Sequence, residues 1–372
     1  MQQPVTRTIL SLKGDPDYPT TLKVHLLTPP GEGRFPLAIY NSGSTRLIDD
    51  RDVAERHNNF LVSYLLSRGY AVALVYLRGF TAYSDSVITD FAGCDVVLLG
   101  RRNARDLSAI VDQLARMPNL NAKRVLMSGA SYGGWNSLAA GASGDARVAA
   151  VLNFFAGIGS KKCTGEEGSA ERGSGILGRG NKTPSIWFYG DNDRLISRAM
   201  WMGMYRAYTD AGGRAELVQF GNFRDDGHGL LAHPSGLPIF VPKVDAFLKR
   251  HGMPHQLVHP HYLPLTAPPP SGFAAVDDIG ALPVRDEAVR RTYAEFLKEP
   301  FPRAFVIAPG KSIVSASGTF DPLADALKAC RESGLTCYPY AIDGDVVWAP
   351  PAAEAPKPGQ APSGNGNGPG RH

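Results

Sequence analysis

The stretch Gly129-Ala130-Ser131-Tyr132-Gly133 follows the apolar run 124–128 and precedes a helical sequence that begins near Trp135. Glycines two positions before and after the serine let a strand and a helix approach each other at a sharp turn. A Gly-x-Ser-x-Gly pattern alone is common by chance, and a small-residue turn without chemistry is the alternative interpretation. The strand before it and the helix after it favour Ser131 as a nucleophile at a strand-to-helix turn.

The composition indicates an ordinary globular protein. The 372 residues are enough for one large domain of about 250 residues and a smaller module. Hydrophobic residues make up 43% of the chain and charged residues 20%, and the net charge is only +4. No block of Lys and Arg and no RNA-module signature predicts a nucleic-acid partner. No apolar run reaches the roughly 18 residues that would predict a membrane span.

Strand and helix patterns alternate along residues 1–252. This alternation predicts an α/β catalytic domain with a mostly parallel, doubly wound sheet covered by helices on both faces. Two half-exposed strands at 6–12 and 22–28 predict a hairpin that forms an antiparallel edge of that sheet. The excursion 158–183 has little hydrophobic periodicity and is interpreted as a long loop, of the kind that is functional or mobile.

The remaining residues predict three further segments. Proline is dense in 253–283, which predicts an extended linker on the surface. Residues 284–348 predict a small α+β module in which Asp343-Gly344 turns a hairpin. The tail 349–372, rich in Pro, Gly, Ala and Asn, is predicted to be disordered.

A serine hydroxyl needs a base to take its proton and an acid to orient that base. In a doubly wound sheet these groups lie in loops at the carboxyl ends of strands. His228 follows such a strand and has a glycine on each side, so its ring can be presented without crowding. His233, His57 and the histidines in 251–261 are the alternatives. His228 is preferred because it comes third in the order serine, aspartate, histidine, which differs from the orders of chymotrypsin and subtilisin.

Two aspartates, Asp191 and Asp193, follow the strand that precedes the His228 strand. Asp191 comes directly after Gly190 and is well placed to bond the backbone of its own turn. Asp193 lies farther into the loop and can point at the histidine. This favours Asp193 as the acid without excluding Asp191.

A tetrahedral intermediate needs two backbone N–H donors. One is expected from Tyr132, the residue after the serine, and the other from the loop after the third strand. In that loop, Asn41-Ser42-Gly43-Ser44, we expect the second donor at Ser44, with Gly43 allowing close approach. The simpler interpretation of these four residues is a turn. For the Tyr132 side chain the sequence supports two roles equally: it shapes the acyl pocket, or it is a packing residue.

Taken together, these motifs resemble the α/β-hydrolase superfamily in its dienelactone-hydrolase-like branch, over roughly residues 5–250. The resemblance includes Asn41-Ser42-Gly43-Ser44, Arg78-Gly79-Phe80, the serine pentapeptide, Gly190-Asp191-Asn192-Asp193 and Asp226-Gly227-His228. It implies that the acid lies three residues after the strand-end glycine, at Asp193. The family's oxyanion loop usually has a histidine where Ser42 stands. Its dienelactone hydrolases use a cysteine nucleophile, so Ser131 suggests an ester substrate.

The cysteines suggest an oxidising compartment. Cys330 would end a helix and Cys337 begin the next strand, close enough to bridge, and a small module gains from a disulfide. Cys94 and Cys163 lie in two loops expected at the catalytic face, where a second bridge could form. The start Met1-Gln2-Gln3-Pro4 looks like a mature terminus with an added methionine. We therefore expect a periplasmic or secreted protein, with reduced thiols in a cytoplasmic enzyme as the alternative.

The sequence thus predicts a serine hydrolase that cleaves small or medium carboxylic esters through an acyl-enzyme, with no metal or organic cofactor. No Cys/His spacing matches a zinc site. A serine peptidase of the prolyl-oligopeptidase type is the second interpretation, and the absence of a large N-terminal propeller counts against it. A non-catalytic binding or scaffold protein is the third. The pattern leaves the oligomeric state open.

Overall fold

The computed structural model describes residues 5–43, 59–78, 92–308, 312–317, 319 and 321–350. The strands of this part are β1 (Thr6–Lys13), β2 (Thr21–Thr28), β3 (Phe35–Asn41), β4 (Ala71–Val75), β5 (Leu120–Ala130), β6 (Val148–Phe154), β7 (Ser185–Tyr189), β8 (Ala215–Gln219), β9 (Arg303–Ala308), β10 (Ser312–Ser317), β11 (Tyr338–Ile342) and β12 (Asp345–Val346). The α-helices are α1 (Phe60–Ser67), α2 (Val96–Leu114), α3 (Tyr132–Gly141), α4 (Ala170–Gly178), α5 (Arg198–Asp210), α6 (Leu237–Arg250), α7 (Glu287–Phe296) and α8 (Pro322–Glu332).

The first eight strands form one sheet in the order β1-β2-β4-β3-β5-β6-β7-β8. β2 pairs antiparallel with β1 and with β4, and every pair from β4 to β8 is parallel. The central strands are apolar and buried on both faces, as expected when helices cover both sides of a parallel sheet. The predicted α/β class, with its antiparallel N-terminal edge, is confirmed.

The excursion 158–183 differs from its interpretation as a loop, because it contains α4 and a short 3₁₀ turn at Glu166–Gly168. The Ser169 hydroxyl caps α4 by accepting the Arg172 N–H. On the packed face of α4, glycines occupy positions where larger apolar residues would give a helical periodicity. A Cβ at Gly173 would lie 2.8 Å from the Trp135 ring, and one at Gly178 would lie 2.3 Å from the Tyr208 carbonyl. Such close packing leaves no hydrophobic pattern to find in the sequence.

Residues beyond α6 form a second, four-stranded antiparallel sheet in the order β10-β9-β11-β12. Its two faces bury separate apolar clusters. Phe305 and Ile307 of β9 pack with α7, whereas Ala304 and Val306 pack with α8. This C-terminal module agrees with the predicted α+β pattern, although the sequence reading missed β10 at the sheet edge. The division of the chain into domains stays a prediction.

The proline-rich segment 253–283 has only short 3₁₀ turns, and part of it lies along α1. The backbone N–H groups of Val258 and His259 both donate to the Ser67 carbonyl, and Arg68 donates to the His255 carbonyl. Of the predicted disordered tail, residues 351–372 lie outside the described residues. In the part of the chain that is described, no helix has the length and apolar character to cross a bilayer.

Both expected disulfides are present, Cys94–Cys163 and Cys330–Cys337. The first joins the segment before α2 to the segment between β6 and α4, across a sequence separation of 69 residues. The second connects the end of α8 to the approach of β11 across 7 residues. Each bridge adds a covalent constraint between two segments of the chain.

The turn from β5 into α3 depends on two glycines that allow backbone to touch backbone. A Cβ at Gly133 would lie 1.9 Å from the Asn41 carbonyl oxygen at the end of β3. A Cβ at Gly129 would lie 2.4 Å from the Gly133 carbonyl group. No side chain fits at either position without moving β3 away from α3.

We expect Gly133→Ala to lower the free energy of unfolding by at least about 3 kcal/mol, because the new methyl group must displace backbone atoms rather than a flexible side chain. Gly159→Ala is the matched control, since a Cβ there meets nothing within 4 Å. That control should change the stability by less than about 1 kcal/mol. Urea unfolding measures both. Equal stability of the two variants would contradict the close approach of α3 to β3.

Candidate active site

Ser131 is the single residue between β5 and α3, and its backbone is held in an unfavourable conformation. Its φ is 55° and its ψ is −124°, on the positive-φ side that a non-glycine residue rarely adopts. The Ser131 N–H donates to the Phe154 carbonyl at 3.0 Å, and its carbonyl accepts the Gly157 N–H at 3.3 Å. These bonds to the end of β6 hold the strained residue in place, as strain at functional sites requires.

Asp193 and His228 are brought together by the turns that follow β7 and β8. Asp193 Oδ2 lies 2.9 Å from His228 Nδ1. Asp193 Oδ1 accepts the backbone N–H groups of Leu195 and Ile196, both at 2.8 Å. The Asp193 side chain is fully buried and that of His228 is 17% exposed. The carboxylate is therefore fixed by its own turn while its second oxygen faces the imidazole.

Asp191 has other partners, which separates it from His228. Its Oδ1 accepts hydrogen bonds from Gln219 Nε2 at 2.8 Å and from Arg198 Nε at 3.2 Å. Its N–H donates to the Gly221 carbonyl at 2.8 Å. Of the two aspartates considered from the sequence, only Asp193 contacts the histidine.

A third aspartate, Asp226, stands in the motifs quoted from the sequence without an assigned role, and it holds the two turns together. Asp226 Oδ1 accepts the His228 N–H at 2.9 Å and the Arg194 N–H at 3.1 Å. The signal was available, because an aspartate two residues before a position in a loop commonly caps that N–H. Its second contact, across to the Asp193 turn, could not be inferred from local sequence.

The end of β6 lies against both the serine and the histidine. The ring centroid of Phe155 is 4.6 Å from that of His228, and its neighbour Phe154 accepts the Ser131 N–H. Ser131 and His228 thus both contact the end of β6. No hydrogen bond joins the Ser131 hydroxyl to the His228 ring, both of which belong to the described residues. Such a bond is often long before substrate binds.

Tyr132 begins α3, so its backbone N–H is one of the groups at a helix start that have no intrahelical acceptor. The helix dipole makes this end favourable for negative charge. Its side chain points elsewhere: Asn103 Nδ2 donates to the phenol oxygen at 2.7 Å in a buried cluster. Burial raises the pKa of Tyr132 to about 12, against the opposing effect of its hydrogen bonds with Asn103 and Asn136. The side chain is therefore a packing residue, one of the two explanations considered from the sequence.

The loop after β3 lies against the serine. A Cβ at Gly43 would be 3.4 Å from both Ser131 Cβ and the Ala130 carbonyl oxygen. The predicted second oxyanion donor, Ser44, lies outside the described residues, and so does His57. Among the described residues, no group of three or more His, Cys, Asp or Glu side chains is arranged to hold a metal ion.

Residues 17–194 match the sequence model of the X-Pro dipeptidyl-peptidase (S15) family. This range includes Ser131 and Asp193 and ends before His228. No curated protein matches the chain.

Many solved structures are similar over about two thirds of the chain. The acylaminoacyl peptidase of Pyrococcus horikoshii is 14% identical with a TM-score of 0.48, covering 67% of this chain and 42% of that one. A Klebsiella pneumoniae protein assigned as a dienelactone hydrolase is 16% identical, with a TM-score of 0.48 and coverage of 67% and 99%. Thermogutta terrifontis esterase 2 is 16% identical, with a TM-score of 0.47 and coverage of 67% and 96%. This chain thus spans about two fifths of the length of the acylaminoacyl peptidase.

The S15 family belongs to the α/β-hydrolase clan, and its match covers the part of the chain that includes the strand–serine–helix turn. The order and directions of the eight strands are those of the same fold. The sequence match and the strand order both agree with an α/β-hydrolase fold for this chain.

Proposed function

We propose that the protein is a serine hydrolase that cleaves carboxylic esters, with Ser131 as nucleophile, His228 as base and Asp193 as the acid that orients it. The observation on which the proposal chiefly depends is the 2.9 Å contact between Asp193 and His228 Nδ1. This contact joins two loops at the carboxyl edge of the sheet, where Ser131 also lies. A buried carboxylate on Nδ1 keeps the proton there and leaves Nε2 free to accept one.

In acylation, Ser131 Oγ forms a bond to the ester carbonyl carbon while its proton passes to His228 Nε2. The negative charge that develops on the carbonyl oxygen is stabilised by the backbone N–H of Tyr132, and by that of Ser44 as the proposed second donor. The C–O bond to the alcohol then breaks, and His228 returns its proton to the departing oxygen. The Asp193 carboxylate stabilises the imidazolium throughout and is not itself protonated.

In deacylation, water replaces the alcohol. His228 Nε2 takes a proton from the water as the water oxygen attacks the acyl carbon. It then gives that proton to Ser131 Oγ as the bond between the acyl carbon and Oγ breaks. The products are the free acid and the original enzyme. Every proton transfer uses the same nitrogen, which is why the tautomer fixed by Asp193 matters in both halves of the reaction.

A peptidase is the second candidate, and the match of residues 17–194 to the X-Pro dipeptidyl-peptidase family supports it. The same triad can cleave either bond. We favour esters because an alcohol leaves a tetrahedral intermediate more readily than an amine, so a triad and an oxyanion hole are sufficient. Cleaving a peptide requires in addition groups that bind the chain on both sides of the bond.

Ser131→Ala is expected to reduce kcat on p-nitrophenyl esters of graded acyl length by about 10⁴-fold or more, because it removes the hydroxyl that forms the acyl-enzyme. Ser143→Ala, at the exposed end of α3, is the control and should leave kcat unchanged. Aminoacyl and X-Pro p-nitroanilides are assayed in parallel. Turnover of anilides but not esters favours the peptidase. Activity that survives in Ser131→Ala contradicts the nucleophile, and wild-type protein without any turnover supports a binding protein.

Asp193→Asn should lower kcat by about 10⁴-fold, since an amide presents the wrong partner to His228 Nδ1 and favours the other tautomer. The fold should survive, because the amide oxygen can still accept the N–H groups of Leu195 and Ile196. Asp191→Asn is a closely matched control two residues away, with no contact to His228. Steady-state kinetics and thermal unfolding of both variants test this. A larger loss in Asp191→Asn would reverse the assignment.

We also propose export to the periplasm or the extracellular medium, because disulfides persist in oxidising compartments. Thiol titration in denaturant without reductant should find none of the four thiols free. Reduction should lower the free energy of unfolding by about 2–4 kcal/mol. Four free thiols in protein isolated from its native compartment would contradict the proposed location.

A further inference from the structure

His228 lies in the segment 220–233, which we call the histidine loop. The loop runs from the end of β8 towards α6. Two of its residues have positive φ angles, Gly221 at 73° and Arg224 at 47°. A non-glycine residue keeps such an angle only where its surroundings hold it. The conformation at Arg224 is therefore held by its neighbours.

One neighbour is the turn that contains the acid. Asn192 Nδ2 donates to the carbonyls of Phe223 and Arg224, at 3.3 and 2.9 Å. Asn192 Oδ1 accepts the Phe223 N–H at 3.0 Å. Three bonds from one side chain attach the first half of the histidine loop to the turn that bears Asp193.

The other neighbour is the C-terminal module. Its hairpin turn Asp343-Gly344-Asp345, which we call the module turn, meets the histidine loop at two points. Arg224 Nη1 donates to Asp345 Oδ2 at 3.0 Å, and His233 Nδ1 lies 3.4 Å from Asp343 Oδ2. One contact lies before His228 in the chain and the other after it. The module turn thus contacts both ends of the segment that presents the imidazole.

Phe301 of the module strengthens both contacts. The Arg224 guanidinium carbon lies 5.6 Å from its ring centroid, and the His233 ring meets it edge-on at 5.8 Å. A Cβ at Gly344 would lie 3.1 Å from Arg224 Nη2, so glycine at the module turn lets the guanidinium approach the backbone. The histidine loop and the module are therefore complementary in charge, in ring packing and in shape.

The module turn is itself rigid. Asp343 is 2% exposed, and its Oδ1 accepts the Arg303 N–H at 2.9 Å. Its carbonyl accepts Arg303 Nε at 3.1 Å, and its N–H donates to the Arg303 carbonyl at 2.9 Å. Arg303 Nη1 in turn donates to the Phe296 carbonyl at 2.7 Å. A turn held this firmly to β9 and α7 can act as a fixed support for the histidine loop.

We propose that the module turn is a positioning element for the catalytic histidine, with Asp345 and Arg224 as its principal positioning residues. The ion pair and the His233 contact hold the two ends of the histidine loop, so that the His228 ring stays against Asp193. This rests on the proposed function of His228 as the base. It gives the C-terminal module a role in the reaction, although none of its residues is placed in contact with the reacting atoms.

Loss of the Arg224–Asp345 ion pair is expected to affect the rate of turnover more than the stability of the fold. The Asp345 side chain is 43% exposed and that of Arg224 is 20% exposed, and an ion pair this open contributes little to stability. A small displacement of a catalytic group can still lower the rate by up to about 100-fold. Loss of the pair should therefore reduce turnover in a protein that remains folded.

The test compares Asp345→Asn and Arg224→Met with the control Glu295→Gln in the full chain. Glu295 forms an exposed pair with Lys298 on α7, at 2.8 Å, away from the histidine loop. We expect kcat on the best substrate to fall by about 10-fold or more in the first two variants, with KM and the unfolding midpoint unchanged. Asp345→Glu should restore much of kcat, and the control should match wild type. Wild-type kcat in both Asp345→Asn and Arg224→Met would overturn the proposal.

A second measurement does not need turnover. The His228 Nδ1 proton, hydrogen-bonded to Asp193, should give a downfield NMR resonance in the wild type, identified by its loss in Asp193→Asn. Asp345→Asn should broaden or remove it, whereas Glu295→Gln should leave it intact. If wild-type protein hydrolyses nothing, the proposed function fails, yet this resonance still decides the positioning role. An unchanged resonance in Asp345→Asn would overturn it.

Discussion

The geometry of the site depends on the close packing of the α3 backbone against the backbone at the end of β3. The first turn of α3 lies against the Asn41 carbonyl so closely that only glycine fits at position 133. The chain must therefore turn from strand to helix at Ser131 alone. This turn requires a positive φ, which is an unfavourable conformation for serine. Bonds from the neighbouring end of β6 hold that residue in place. The proposed nucleophile is presented, half-buried, at the carboxyl edge of the sheet because this close packing forces a sharp turn at Ser131.

Hydrogen bonds near each residue position the proposed acid and base independently of the contact between them. Asp193 accepts two N–H groups of its own turn, and Asp226 accepts the His228 N–H. Hydrogen bonds within each turn thus help to fix its conformation. The contact between Asp193 and His228 then joins two side chains that are already positioned. Pre-organisation of this kind lowers the reorganisation required during the reaction, which is where an enzyme gains much of its rate.

The sequence predicted those features that depend on short-range patterns. Alternating strands and helices, the glycine-serine-glycine turn and the strand-end aspartates all follow from local composition, and the order of the three proposed residues came with them. The helix α4 was missed because glycines such as Gly173, packed against Trp135, replace its apolar face. The edge strand β10 was missed because it has only one neighbour to bury it. The bonds that Asn192 and Asp226 make to the other turn could not be inferred, because each joins residues 32 positions apart in the chain.

The C-terminal module illustrates the same limit at longer range. Asp343-Gly344 was identified as a hairpin turn from two residues, and that turn is present. Nothing local indicates that Arg224, 121 residues before Asp345, meets it. Yet the ion pair and the Phe301 contacts lie at one interface, and that interface is formed with the loop that presents His228. Buried bonds between Asp343 and Arg303 support it from within the module. A module that only added stability could pack against any surface of the sheet. This one packs against the two ends of the loop that presents His228, so its position argues for a part in the chemistry.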